Sequence, residues 1–196
     1  MNLSNSQKKI VSNVAWSLGG KAVNMASALF VGILIARYLG PESYGLMNYV
    51  ISYVAIFSII ATFGMDNIEI RELSRQNDKK DAIMGTCFCL RMFFATIAYI
   101  VIAISLFYFQ TDKFTSLMVL AYGLTLFTGT GNLLRNYFTS IVQNKYIVKS
   151  EMYRTFVGAG IKILLLWIKA PLEYFIYAQI FDTALVASGY YLSYKS

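Results

Sequence analysis

Long apolar runs, each about as long as a bilayer is thick, follow one another through this chain with short charged connections between them. A helix needs about 20 predominantly apolar residues to cross the hydrocarbon core. A hydropathy window of about 19 residues finds six such stretches: Asn13–Tyr38, Leu46–Phe63, Ile83–Phe109, Ser116–Leu134, Met152–Ile168 and Tyr174–Tyr194. Composition agrees, because 57% of the residues are hydrophobic and 14% are charged, whereas a soluble domain carries roughly a quarter charged residues. The chain therefore reads as an all-α polytopic membrane protein. Residues 1–12 form a cytoplasmic N-terminus and 13–196 a six-helix transmembrane lobe, with cytoplasmic connections near 64–82 and 135–151.

Charge orients the spans. Lys8, Lys9, Arg71, Arg75, Lys79, Lys80, Arg135, Lys145, Lys149, Arg154 and Lys195 fall on one side, against Arg37, Lys113 and Lys169 on the other. Lys and Arg in short loops stay in the cytoplasm, so both termini are expected inside, as an even number of spans also requires. The same distribution explains the net charge of +7 without a nucleic-acid partner, since the basic residues are spread between apolar runs instead of gathered in a patch. The run after the polar Met1–Lys9 stretch is too long for a signal sequence and lacks a small-residue cleavage pattern, so it is read as retained. The connection 66–81 interleaves Ile68, Ile70 and Leu73 with Glu69, Arg71, Glu72 and Arg75. It reads either as a short amphipathic helix at the cytoplasmic interface or as a solvated loop.

Much chemistry is absent. With no histidine, there is no Ser-His-Asp triad, HExxH zinc site or histidine proton relay. No GxxxxGK[ST] loop is present to bind ATP. Cys87 and Cys89 lie on different faces of a helix and read as small buried hydrophobes instead of a metal or redox pair. Neither catalytic residues nor a cofactor or metal is expected. A glycan polymerase or acyltransferase would need a large outward loop and groups such as His, and the outward connections are only a few residues long.

Three cations remain inside the spans, Lys21, Arg91 and Lys162, together with Asp182. A charge near the bilayer centre costs about 2.5–3.5 kcal/mol on insertion scales, so it faces a partner or an aqueous cavity. Each cation lies on an outward-running helix, roughly 12–15 Å from its cytoplasmic start at 1.5 Å per residue. Cations at one level on three helices suggest a cationic cavity that accepts an anion. Polar stripes accompany them at helical spacing: Asn13, Ser17, Lys21 and Asn24 on the first span, and Tyr122, Thr125, Gly129, Asn132 and Asn136 on the fourth. Arg91 shares a face with Cys87, Ala95 and Ala98, and Lys162 with Gly158 and Arg154. The cavity set is therefore Lys21, Arg91, Lys162, Asn24, Asn132 and Asp182. Snorkelling of the cations, or Asp182 serving as a counter-ion for one of them, is the competing structural reading.

Between the first two spans stands Ala36-Arg37-Tyr38-Leu39-Gly40-Pro41-Glu42-Ser43-Tyr44-Gly45, and after the second Gly64-Met65-Asp66-Asn67-Ile68-Glu69-Ile70-Arg71. Here the chain resembles the polysaccharide flippases, the O-antigen and teichoic acid-type members of the multidrug/oligosaccharidyl-lipid/polysaccharide exporter superfamily. Their helices carry an Ala-Arg-x-Leu-Gly-Pro-x-x-Tyr-Gly pattern followed by Gly-x-Asp-x-x-x-x-Arg, so Arg37, Gly40, Pro41, Gly45, Gly64, Asp66 and Arg71 match as motif positions. Gly40-Pro41 is expected to end one helix and open the next, with Tyr38 and Tyr44 in an aromatic belt. The resemblance runs the length of the chain. It implies the N-lobe of a two-lobed, MATE-like fold in a bacterial or archaeal cytoplasmic membrane. It also implies an undecaprenyl-pyrophosphate-linked oligosaccharide as substrate, moved to the outer leaflet as in lipopolysaccharide assembly. The family has twelve to fourteen helices, so a second lobe or a homodimer is the expected partner, beside membrane lipids. Alternating access needs two halves. A multidrug exporter lobe of the same superfamily is the runner-up, disfavoured because one acid faces three cations; a non-functional remnant is the other alternative.

Overall fold

A helix running unbroken from Asn5 to Thr62, 58 residues, would be about 87 Å long, nearly three times the hydrocarbon core. Gly40 prevents it. In the computed structural model, which describes residues 5–109 and 112–195 (side chains of 5–17 and of Asn77 excepted), Gly40 takes φ 72°, ψ 174°. Only glycine occupies that region without strain, and Pro41 then opens the second arm with its preset φ. The helix α1 (Asn5–Thr62) is thus two arms, 5–39 and 41–62. Tyr38 secures the corner: its hydroxyl donates to the Ala170 carbonyl at 3.1 Å and its ring meets that of Phe175 at 5.9 Å. Gly40→Ala is expected to cost about 1–3 kcal/mol, read as a lower melting temperature of the detergent-solubilised protein. Gly45→Ala should do the reverse by up to about 1 kcal/mol, since Gly45 is helical with open space where a Cβ would sit.

Phe63 and Gly64 turn the chain through left-handed conformations into α2 (Met65–Arg75). The 66–81 connection therefore holds a helix, with Met65, Glu69 and Leu73 buried on one face. After a 3₁₀ turn at Asn77–Lys79 comes α3 (Lys80–Tyr108), which buries the stripe Arg91, Ala95, Ala98, Ile102 and Leu106 and leaves Phe93, Ile100, Ile104 and Phe107 exposed. A helix apolar on every side and buried on one is dressed for lipid.

Asp112 caps α4 (Lys113–Gly123), its carboxylate accepting from the Thr115 amide at 2.9 Å. That hydrogen bond holds its pKa below the ordinary aspartate value. The path continues through α5 (Thr125–Thr128) and a 3₁₀ turn at Gly129–Gly131 into α6 (Asn132–Ser140). Then α7 (Asn144–Trp167) and α8 (Leu172–Lys195) pair side by side. The main core lies around the second arm of α1, where Val50, Ala98, Ile102, Val119 and Ile176 are wholly buried.

The described residues hold helices joined by turns and short irregular links, without a strand. The expected windows fall in helical segments, but α1 begins at Asn5 instead of Asn13, α7 at Asn144 instead of Met152, and Ser116–Leu134 runs from α4 through α5 and the 3₁₀ turn into α6. Among the described residues, three stretches are long and apolar enough to cross a membrane: Leu18–Thr62, Lys80–Tyr108 and Lys113–Ser140. The first is the pair of arms joined at Gly40. Phe107 and Trp167, 88% and 84% exposed, belong to a surface that water would not tolerate. The chain is a membrane protein.

Candidate functional site

Polar residues on an apolar helix must find one another, and here they form two groups. Asp66 and Glu69 sit three residues apart on α2, so both carboxylates reach α3. Arg91 Nε donates to Glu69 Oε1 at 2.6 Å, and Nη2 donates to Asp66 Oδ1 at 2.6 Å and Glu69 Oε2 at 2.8 Å. From α6, Asn136 Nδ2 donates to Asp66 Oδ1 at 2.9 Å and to Glu69 Oε2 at 2.7 Å. Arg91, Glu69 and Asn136 are almost wholly buried, while the Asp66 side chain is 51% exposed. Burial pushes the Asp66 carboxyl up, but hydrogen bonds from Asn136 and Arg91 and the charges of Arg91 and Arg135 hold it below its ordinary value. Its contribution to stability is therefore present at neutral pH and lost only in acid.

Arg91 thus answers to two carboxylates, and the expectation of three cations lining one cavity takes another form. Arg91 borders a cavity of about 290 Å³ between the second arm of α1, α3, α4–α5 and α8. Asn132 lines the same cavity, as do its stripe-mates Tyr122, Thr125 and Gly129. Lys162, Asn24 and Asp182 line a different one, of about 280 Å³, between both arms of α1, α7 and α8. Lys21 is exposed and borders neither. The side chains of Asn13 and Ser17 lie outside the described residues.

In the second cavity Lys162 Nζ donates to Asp182 Oδ2 at 2.5 Å and to Gln179 Oε1 at 3.3 Å. Asp182 is therefore a counter-ion, and its other oxygen, Oδ1, is buried without a hydrogen-bond partner. Gly158 makes the room, because a Cβ there would collide with that carboxylate. Two turns before Lys162 on the same face, Arg154 also lines the cavity, with its buried Nε unpartnered. Asn24, beside them, accepts from Thr155 and donates to Glu151 at 3.3 Å. Glu151 in turn accepts from Tyr190 at 3.2 Å and lies 3.9 Å from Arg135. This basin holds two cations and one carboxylate, so it carries one excess positive charge and an unused guanidinium donor. Such a site attracts anions.

Sequence reasoning placed Arg154 in the fourth connection and Glu69 on a connecting surface. Arg154 already falls within the fifth window, Met152–Ile168, and α7, which begins at Asn144, sets it further from the helix start than the window does. The signals were present in the four-residue steps Arg154, Gly158, Lys162 and in the Asp66/Glu69 spacing. Of the motif positions, Asp66 joins Arg91, and Gly40 and Gly64 provide left-handed turns. Arg71 pairs with Glu72 at 3.2 Å on the surface, and Arg37 is exposed.

No curated protein and no solved structure matches this chain. The family model described as polysaccharide biosynthesis protein matches residues 10–196. With nearly its whole length covered, the chain belongs to the polysaccharide biosynthesis protein family.

Proposed function

We propose that this chain forms one lobe of a transporter that flips an undecaprenyl-pyrophosphate-linked oligosaccharide to the outer leaflet of the cytoplasmic membrane by alternating access. The observation that carries the proposal is the Arg154–Lys162 basin, whose net positive charge and unpartnered Arg154 Nε suit a pyrophosphate. In this reading the six helical windows span the membrane in a MATE-like lobe with both ends in the cytoplasm, as the basic connections favour. Lys21, exposed one turn before Asn24, makes first contact with the headgroup. A second lobe, from further chain or a second copy, completes the cycle.

A lobe that exports cationic drugs would need a free acid in the basin, and Asp182, the acid there, is already paired with Lys162. Equilibrium binding to the purified protein separates the two readings. Farnesyl pyrophosphate should bind saturably, be displaced by inorganic pyrophosphate and weaken as salt rises. Saturable binding of ethidium with none of farnesyl pyrophosphate would refute the proposal.

A further inference from the structure

A further cavity, of about 510 Å³, lies between α3, α5–α6 and α8 and is larger than either polar one. Its two long walls are helical stripes. Met84 and Phe88 stand four residues apart on α3, and Ala184, Ala187, Tyr191 and Tyr194 follow at steps of three and four on α8. Gly131 forms the floor, where a Cβ would stand 2.7 Å from that of Ala187. The two threonines in the lining, Thr128 and Thr130, already donate to carbonyls of their own segments at 3.1 and 2.7 Å. From Ala184 to Tyr194 the α8 wall runs about 15 Å at 1.5 Å per residue, which is half the hydrocarbon core. A trough of that length accommodates an acyl chain within one leaflet.

One end of the trough is charged. Lys80 opens α3 one turn before Met84, on the same face as Met84 and Phe88. Among the described residues its ammonium meets no carboxylate; Nζ stands 5.9 Å from the centroid of the Tyr137 ring. Tyr137 in turn meets Tyr194 edge-on at 5.3 Å, and the Tyr194 hydroxyl donates to Asp81 Oδ1 at 3.5 Å. Lys79 and Lys195 adjoin this group in the chain, so three cations stand against Asp78 and Asp81. Tyrosines beside a cation suit the membrane interface, and basic residues there attract anionic headgroups. The rim decides between a lipid and another helix. A packed helix needs small residues at the contact, but here they lie at the floor, while the rim carries Phe88 and Tyr191, 46% and 57% exposed. A flexible methylene chain can pass between such rings.

We propose that this trough holds one acyl chain of an anionic bilayer phospholipid, with the lipid phosphate at Lys80. The site is separate from the α7 basin and its ligand from the transported one. Bound there, the lipid joins α3 to α8, the opposite walls of the trough, and stabilises the fold as a ligand of the native state does.

Native mass spectrometry of the full chain released from detergent reads its affinity for single phospholipids. The wild type should hold one dioleoylphosphatidylglycerol about fivefold tighter than dioleoylphosphatidylcholine, the worth of one lysine near an anionic headgroup. Lys80→Gln should erase most of that preference and leave phosphatidylcholine binding unchanged. Ala184→Leu fills the trough and should weaken both lipids severalfold. Phe88→Ala, which removes part of an exposed rim and leaves the packing intact, should do the same. Equal affinity of the wild type for the two lipids overturns the site, as does a Lys80→Gln variant that keeps the full preference. Groove variants that bind phosphatidylglycerol as the wild type does overturn it too. Displacement of phosphatidylglycerol by farnesyl pyrophosphate would give the trough to the prenyl chain of the transported lipid, and would equally overturn it. Selective phosphatidylglycerol binding by a chain that binds no farnesyl pyrophosphate supports this site and refutes the pyrophosphate reading of the α7 basin.

Discussion

Glu69→Ala should destabilise the protein by about 3–5 kcal/mol, the cost of leaving a buried charge without its partner. Arg91 and Glu69 side chains are 2% and 1% exposed, so water cannot replace the missing carboxylate, and Asp66 alone, half in solvent, faces the guanidinium. The loss should appear as a large drop in the thermal midpoint of the detergent-solubilised protein. Replacing both partners, Glu69→Leu with Arg91→Met, should recover most of it, because two apolar side chains of similar volume need no hydrogen bonds. Asp66→Asn should matter far less. A Glu69→Ala variant that melts like the wild type would mean that the cluster does not hold α2 against α3 and α6. The expected result also separates roles. Arg91 acts here as a structural anchor for the Gly64–Arg71 motif helix, whereas the cation available for a ligand lies on α7.

A substitution that removes a charge should improve binding. In the basin Lys162 is held by Asp182 at 2.5 Å, so an incoming pyrophosphate competes with a carboxylate for it. Asp182→Asn removes the competitor and should tighten farnesyl pyrophosphate binding by about tenfold, the worth of one charge-assisted hydrogen bond of about 1.5 kcal/mol. Arg154→Gln should weaken it by about ten- to a hundredfold on the same scale. Combining Lys162→Gln with Asp182→Asn avoids a stranded buried carboxylate and should abolish most of the affinity. Isothermal titration at fixed ionic strength reads all three.

Much of this architecture was legible because two strong rules act on a membrane chain. Apolar run length places the helices, and Gly40-Pro41 carries its bend in its own chemistry. Of the fourth-span stripe Tyr122, Thr125, Gly129, Asn132 and Asn136, the first four line one cavity, whereas Asn136 turns to Asp66 and Glu69. What could not be read is which polar residue answers which. The apolar windows set Arg91 and Lys162 at one expected depth, yet one meets two carboxylates from a helix lying outside those windows and the other meets one from α8. Hydropathy gives that connecting helix no weight, so Glu69 stayed out of view. The same windowing trimmed the polar start of α7, which begins at Asn144, and the charge count set Arg154 with the cytoplasmic residues although it stands within the fifth window. Pairing across helices is a property of packing, and a single sequence does not print it.

The most direct measurement of the central claim is the affinity of Asp182→Asn for farnesyl pyrophosphate, set beside the wild type and Arg154→Gln at one salt concentration. If the α7 basin receives the pyrophosphate, the asparagine variant binds more tightly than the wild type and the glutamine variant more weakly. If both bind as the wild type does, while Glu69→Leu/Arg91→Met loses affinity without losing stability, the anion belongs at Arg91 and the account is wrong.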